Sequence, residues 1–309
     1  MSLDWLKRRP HLIALAPAVL VLGALAVYPT AYLVRLALSD WTPARPVPVL
    51  VGLEHLRRAL FDDVFFWKSV GLTLTYTAVA LAMELLLGLA LALLLVGHPR
   101  PGPTYRGDEP AEGMLPWLRA ALGVPMTLTP VVVGLSWRIL FDPDLGPLNR
   151  MLGAVGVTGP AWVADPRWAL ASLVLVDVWQ WTPFMVLALG AALSQLPRDL
   201  YEAAAVDGAG RLDTLRHVTL PGLRRAIAAA SLLRAVDLFK AFDVIFIVTE
   251  GGPGTATETL SLYAFRVLRR FDIGYAAALG LCLLVATLLA MRVLSRVLGD
   301  PFRDEETPR

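Results

Sequence analysis

The stretch YEAAAVDGAGRLDTLRHVTLP, Tyr201 to Pro221, is a charged island between two apolar segments, and its reading decides how the rest is understood. From Arg198 to Asp207 the residues favour helix, with Ala203, Ala204 and Val206 interleaved with Glu202 and Asp207. Gly208 and Gly210 then interrupt it, because glycine accepts the backbone angles that end a helix. A second helical pattern runs from Arg211 to Val218, with Leu212, Leu215 and Val218 spaced by three. Pro221 is expected to stop it. The expected object is a hairpin of two short amphipathic helices joined by a glycine bend. It is too polar for lipid and too apolar to stay free in water, so it calls for a protein surface.

The flanking chain reads as membrane. Of 309 residues, 56% are hydrophobic and 17% charged, against roughly 25% charged in an ordinary soluble domain. A net charge of +2 is too small to suggest a nucleic-acid partner, and no RNA or DNA motif is present. The single cysteine, Cys282, lies in an apolar run, so no intrachain disulfide is possible. The four histidines, His11, His55, His98 and His217, are scattered without ligand spacing, and no metal site is expected.

Six apolar segments are long enough to cross a bilayer at about 20 residues each. They cover about 12–38, 69–96, 115–141, 168–196, 222–248 and 273–295, with the hairpin at 198–221. Ala24-Leu25-Ala26 after Lys7-Arg8-Arg9 has the look of a signal-peptide cleavage site, but the apolar run continues past it and no cleavage is expected. Pro125 and Pro130 are expected to kink the third span. Polar, proline-bearing residues 40–68 lie outside the membrane, with a short amphipathic piece near Leu53 to Phe66, and 97–113 forms a loop. The fifth span carries Arg234, Asp237, Lys240 and Asp243, alternating in sign at steps of three, so neighbours can pair along one helix side. It cannot face lipid. Thr249 to Gly254, TEGGPG, is a turn cluster, and Thr257 to Phe271 alternates apolar and charged residues like a helix lying on the membrane surface.

Six spans put both termini and the hairpin on one side. That side carries 15 Lys and Arg residues against 11 opposite, which places it in the cytoplasm. The only lysines, Lys7, Lys68 and Lys240, stand in no glycine-rich phosphate loop. The chain is therefore not expected to hydrolyse ATP, and energy has to reach it through the hairpin.

Glu202-Ala203-Ala204, a glycine four residues later at Gly208, and Leu220-Pro221 twelve beyond that resemble the EAA loop of the permease subunits of bacterial ATP-driven, binding-protein-dependent importers. Val218 stands where that family usually has isoleucine. The resemblance implies an all-α polytopic membrane protein, the type I ABC importer permease fold, as a single domain over 1–309. It implies that Glu202, Ala203, Ala204, Asp207, Gly208, Leu215, Leu220 and Pro221 belong to a coupling element that inserts into a cleft on a separate ATPase. The implied partners are a second homologous permease, an ATPase dimer holding ATP and Mg, and an extracytoplasmic solute-binding protein; no cofactor falls to this chain itself.

Lys240, Phe242-Asp243-Val244, Thr249 and Gly251-Gly252-Pro253 are similar to carbohydrate permeases of the maltose and glycerol-phosphate type, as are Trp137, Asn149, Trp162, Asp165, Pro166 and the WTPFM at Trp181 to Met185. In that family the positions of Lys240 and Ala241 border a central sugar site, and the glycine turn Gly251, Gly252, Pro253 reaches into the binding protein. Ionisable groups within a membrane are expensive and face a bundle interior or an aqueous path. Glu84, Asp177, Arg234, Asp237, Lys240 and Asp243 are such groups; the span-five set fits an internal ion-pair ladder as well as a path. Trp179, Gln180 and Trp181 offer a flat apolar face and an amide for sugar hydroxyls, or equally packing and an interfacial anchor. The expected mechanism is alternating access. A secondary, ion-coupled transporter is the alternative, and it would carry its own ion site and often inverted repeats; the halves show no repeat. A membrane enzyme would need a catalytic constellation, and none converges.

Overall fold

A computed structural model describes residues 10–43, 45–96 and 116–299. The expected loop at 97–113 and the terminal charges used above fall outside the described residues. The chain divides into two compact units, Met1–Trp67 with Tyr263–Leu284, and Lys68–Leu262 with Val285–Arg309. Among the described residues, four helices are long and apolar enough to cross a membrane, Pro17–Ala37 within the helix Pro10–Ala37, Val64–Val96, Pro166–Ser194 and Ile273–Leu298.

The third expected span is broken rather than kinked. Helices Pro116–Thr127 and Pro130–Leu140 are separate, and the direction changes by 96° between them. Pro130 opens the second helix, and the residue before a proline is pushed out of the helical region. Thr129 accordingly has φ −68° and ψ 148°. The fifth expected span is also interrupted: Leu220–Phe239 is helical, Lys240 to Phe242 are not, and Asp243–Val248 starts a new helix. That short helix packs on Pro130–Leu140, so closely that a Cβ on Gly134 would lie 2.8 Å from Ile247 Cγ2.

Pro221 does not stop a helix. The backbone is helical without interruption from Arg211–Thr214 through a π-helical turn, Leu215–Thr219, into Leu220–Phe239. Pro221 therefore lies inside a helical run, just after the π-helical turn, where it withholds one backbone N–H without breaking the helix.

In the first unit, Ser39–Thr42 and Arg45–Leu50 pair as antiparallel β-strands, which the all-helical expectation missed. Asp63 lies in the same unit. Its carboxylate accepts from Tyr263 Oη at 2.5 Å, from Tyr275 Oη, and from the Phe65 N–H at 2.8 Å. Arg58 lies 4.0 Å above the Tyr275 ring and 3.0 Å from Asp272. Burial pushes the Asp63 carboxyl up, but these donors outweigh it and hold it below the usual carboxylate range. The amphipathic segment expected over Thr257 to Phe271 is helical over Leu260–Arg269, with Tyr263 and Val267 buried.

Candidate functional site

Three helices of the second unit meet at a buried charge cluster. Arg234, on Leu220–Phe239, donates from Nε to Glu84 Oε2 at 2.8 Å and from Nη2 to Glu84 Oε1 at 2.7 Å. The same Nη2 donates to Asp177 Oδ2 at 2.7 Å. Glu84 lies on Val64–Val96 and Asp177 on Pro166–Ser194. All three are buried, Glu84 at 0% exposure, and the Trp181 ring lies 4.6 Å from the guanidinium. A fork with parallel donors is the geometry that binds a carboxylate most strongly. The sequence flagged these intramembrane charges singly; it did not pair them across helices.

The expected ladder is therefore only partly formed. Lys240 Nζ lies 3.0 Å from Asp237 Oδ1, whereas Arg234 Nη1 is 3.9 Å from Asp237 Oδ2. Asp243 falls past the helix break and off the ladder. Asp237 and Lys240 are half-exposed and exposed, beside the non-helical residues Lys240 to Phe242, where the Ala241 carbonyl accepts from Ser261 Oγ at 3.3 Å. Gln180 is buried, and its amide nitrogen donates to the Leu128 carbonyl at 3.3 Å. That bond serves a carbonyl left open at the broken third span. Trp179 is 41% exposed. Its ring packs edge-on to Trp137, 5.6 Å between centres, and it borders an apolar cavity of about 380 Å³ lined also by Leu87, Leu122 and Val178.

The glycine turn is tightly held. Glu250, Gly251 and Gly254 all have positive φ. Thr257 Oγ1 lies 2.7 Å from Thr249 Oγ1 and donates to the Gly252 carbonyl at 2.8 Å. Lys68 Nζ donates to Thr255 Oγ1 at 2.6 Å, and Arg138 donates to the Ile247 carbonyl at 3.0 Å.

The hairpin is present as a helix, Arg198–Val206, a bend with Gly208 at φ +76°, and the helical run from Arg211. Two contacts that the sequence reading missed close it. Tyr201 is buried and its hydroxyl lies 3.1 Å from Thr219 Oγ1. At the base, a Cβ on Gly222 would come within 2.7 Å of Leu196 Cδ2. Glu202, Ala203, Asp207, Gly208 and Pro221 are exposed, while Ala204, Leu215 and Leu220 are half-buried. Two large apolar side chains also face outward, Val206 at 88% and Leu212 at 56% exposure. Tyrosine and threonine at this spacing, 201 and 219, are the signal that could have revealed the closure.

Comparison with known proteins places this geometry. Residues 85–298 match the family model described as binding-protein-dependent transport system inner membrane component. The sulfoquinovosyl glycerol transport system permease protein SmoG of Agrobacterium fabrum is 33% identical over 95% of this chain and 92% of its own. The trehalose transport system permease protein SugA of Mycobacterium tuberculosis is 31% identical over 88% and 83%. A bacterial alginate ABC transporter, solved in complex with alginate pentasaccharide-bound periplasmic protein, has a chain that shares the fold at a TM-score of 0.74. It is 22% identical, with 96% of this chain and 98% of that chain covered. The chain belongs to the family of binding-protein-dependent transport system inner membrane components.

Proposed function

We propose that this chain is a permease subunit of an ATP-driven importer that carries a carbohydrate or related polyol delivered by a soluble binding protein. The single observation that carries the coupling half of this reading is the closed hairpin. Its backbone is fixed by Tyr201 and Thr219, yet it presents Glu202, Val206 and Leu212 outward. Exposed apolar side chains beside charge, on a segment too polar for lipid, support a protein interface there. The occupant is the cleft of a separate ATPase, where ATP and Mg reside.

The carbohydrate half is supported by relatives named for sulfoquinovosyl glycerol and trehalose. ATP binding closes the ATPase pair, the hairpin follows, and this chain and a second homologous permease rock so that a path closed to one side opens to the other. The chain acts as a single six-span permease domain in the bacterial inner membrane, with its termini and hairpin in the cytoplasm. In this reading Trp179, Asp237, Lys240, Ala241 and Asp243 border the path beside the helix break, Gln180 shapes its wall, and Gly251, Gly252 and Pro253 meet the binding protein.

The test uses the transporter assembled with its own ATPase and companion permease in proteoliposomes, with binding protein and labelled trehalose among a panel of sugars. Replacing Glu202 with Ala and Gly208 with Val should leave binding-protein capture intact while abolishing ATP-dependent uptake. Uptake at the native rate in that variant, or uptake by the native transporter without ATP, refutes the reading.

A further inference from the structure

We propose that Arg234, with Glu84 and Asp177, is the latch through which displacement of the hairpin is passed to the membrane helices. The inference rests on the importer reading above and adds the residues that do the mechanical work. Its starting point is continuity: the second arm of the hairpin and the Arg234-bearing helix are one uninterrupted helical run from Arg211 to Phe239. A helix transmits axial displacement with little loss because its residues are tied from turn to turn; Pro221, which has no N–H, is the exception in this run. At 1.5 Å per residue, Arg234 lies about 22 Å along that rod from Thr219.

What the rod would pull on is decided by the cluster. Arg234 joins the rod to two other long helices, holding Glu84 through two donors and Asp177 through one. One cation facing two carboxylates at 2.7–2.8 Å, away from water, cannot be released without leaving charge unpaired in a medium that screens it poorly. The three helices are therefore bound to move as one block when the hairpin moves. A third carboxylate, Asp237, lies 3.9 Å from the free edge of the guanidinium and is itself paired with Lys240 at 3.0 Å. The latch is thus joined to the helix break at Lys240 to Phe242. Displacement at the hairpin reaches the break through side chains that touch, from Arg234 to Asp237 to Lys240. Arg234 is a positioning residue here.

The test reads that rigidity directly. In a Cys282→Ser background, spin labels are placed at Arg216→Cys on the hairpin and Leu86→Cys on the Val64–Val96 helix, both exposed. The intrachain distance is measured in the complete transporter before and after trapping with ATP and vanadate. With the latch intact the distance should be the same in both states. With Glu84→Gln or Arg234→Lys, which keep size but lose charge or the fork, trapping should change it by about 5 Å, one helical turn, and solute moved per ATP should fall about ten-fold. Partial recovery of the fixed distance in the Glu84→Arg, Arg234→Glu swap would support a direct pair. If Arg234→Lys does not assemble, Asp177→Asn gives the same comparison. A distance that changes equally in native and variant proteins, or that stays fixed in every variant, overturns the latch. The importer reading fails separately: it falls if the native transporter neither hydrolyses ATP nor takes up any sugar, whatever the labels report.

Discussion

Gly88→Ala is the smallest change that should disturb the charge cluster. A Cβ at Gly88 would lie 2.3 Å from Met185 Cβ, whereas carbon atoms rest at about 3.5–4.0 Å. The Val64–Val96 and Pro166–Ser194 helices must then separate by about 1.2–1.7 Å, since neither atom can rotate away. Glu84 lies one turn before Gly88 on the same face. Arg234 cannot follow both carboxylates, so one contact of 2.7 Å opens to about 3.9–4.4 Å, beyond hydrogen-bonding range. Overpacking costs about 1–3 kcal/mol, and a lost hydrogen bond to a charged group costs about 1.5–3 kcal/mol. Against this, alanine improves helix propensity by only about 1 kcal/mol. The net effect is destabilising. Thermal unfolding of the purified transporter in detergent measures it, together with solute moved per ATP. Met185→Ala should not rescue the variant, because the clashing atom is the Cβ that alanine keeps; Met185→Gly should recover part of the loss. Unfolding at or above the native temperature in Gly88→Ala would refute the packing argument.

Tyr201→Phe removes the hydroxyl facing Thr219 and should loosen the hairpin by about 0.5–1.5 kcal/mol, seen as faster amide exchange from 198 to 219 with the membrane helices unchanged. Thr257→Val deletes the contacts to Thr249 and the Gly252 carbonyl; we expect proteolytic cleavage in the glycine turn to rise and binding-protein stimulation of ATP hydrolysis to drop. Asp63 has a depressed native pKa, so its stabilisation is complete above about pH 4, the ordinary carboxylate value, and is lost as pH falls through the lower native value. Acid titration of exchange in residues 54–67 should show that loss in the native protein and lack it in Asp63→Asn.

The hairpin was readable because its signals are local. Helix formers, a glycine at the bend and a conspicuous charge density lie within one short stretch, and Gly208 does adopt the left-handed angle that glycine permits. The error at Pro221 has an equally local cause. Proline reads as a stop because it has no N–H, and here the π-helical turn Leu215–Thr219 carries the helix past it. The third span's break was signalled by Pro130, but the 96° turn required the packing of its two halves.

The break at Lys240 to Phe242 left no such mark, as no proline or glycine stands there. It is imposed from outside, where Asp243–Val248 docks on Pro130–Leu140 and Arg138 takes the Ile247 carbonyl. The same holds for the charges. Composition and spacing dictated that Glu84, Asp177 and Arg234 avoid lipid, because an ion in hydrocarbon is costly whatever its neighbours. Spacing along one helix favoured a ladder, since periodicity reports only residues on the same rod. Which carboxylates meet which guanidinium was left to tertiary structure: residues 84, 177 and 234 are brought together only when three helices pack.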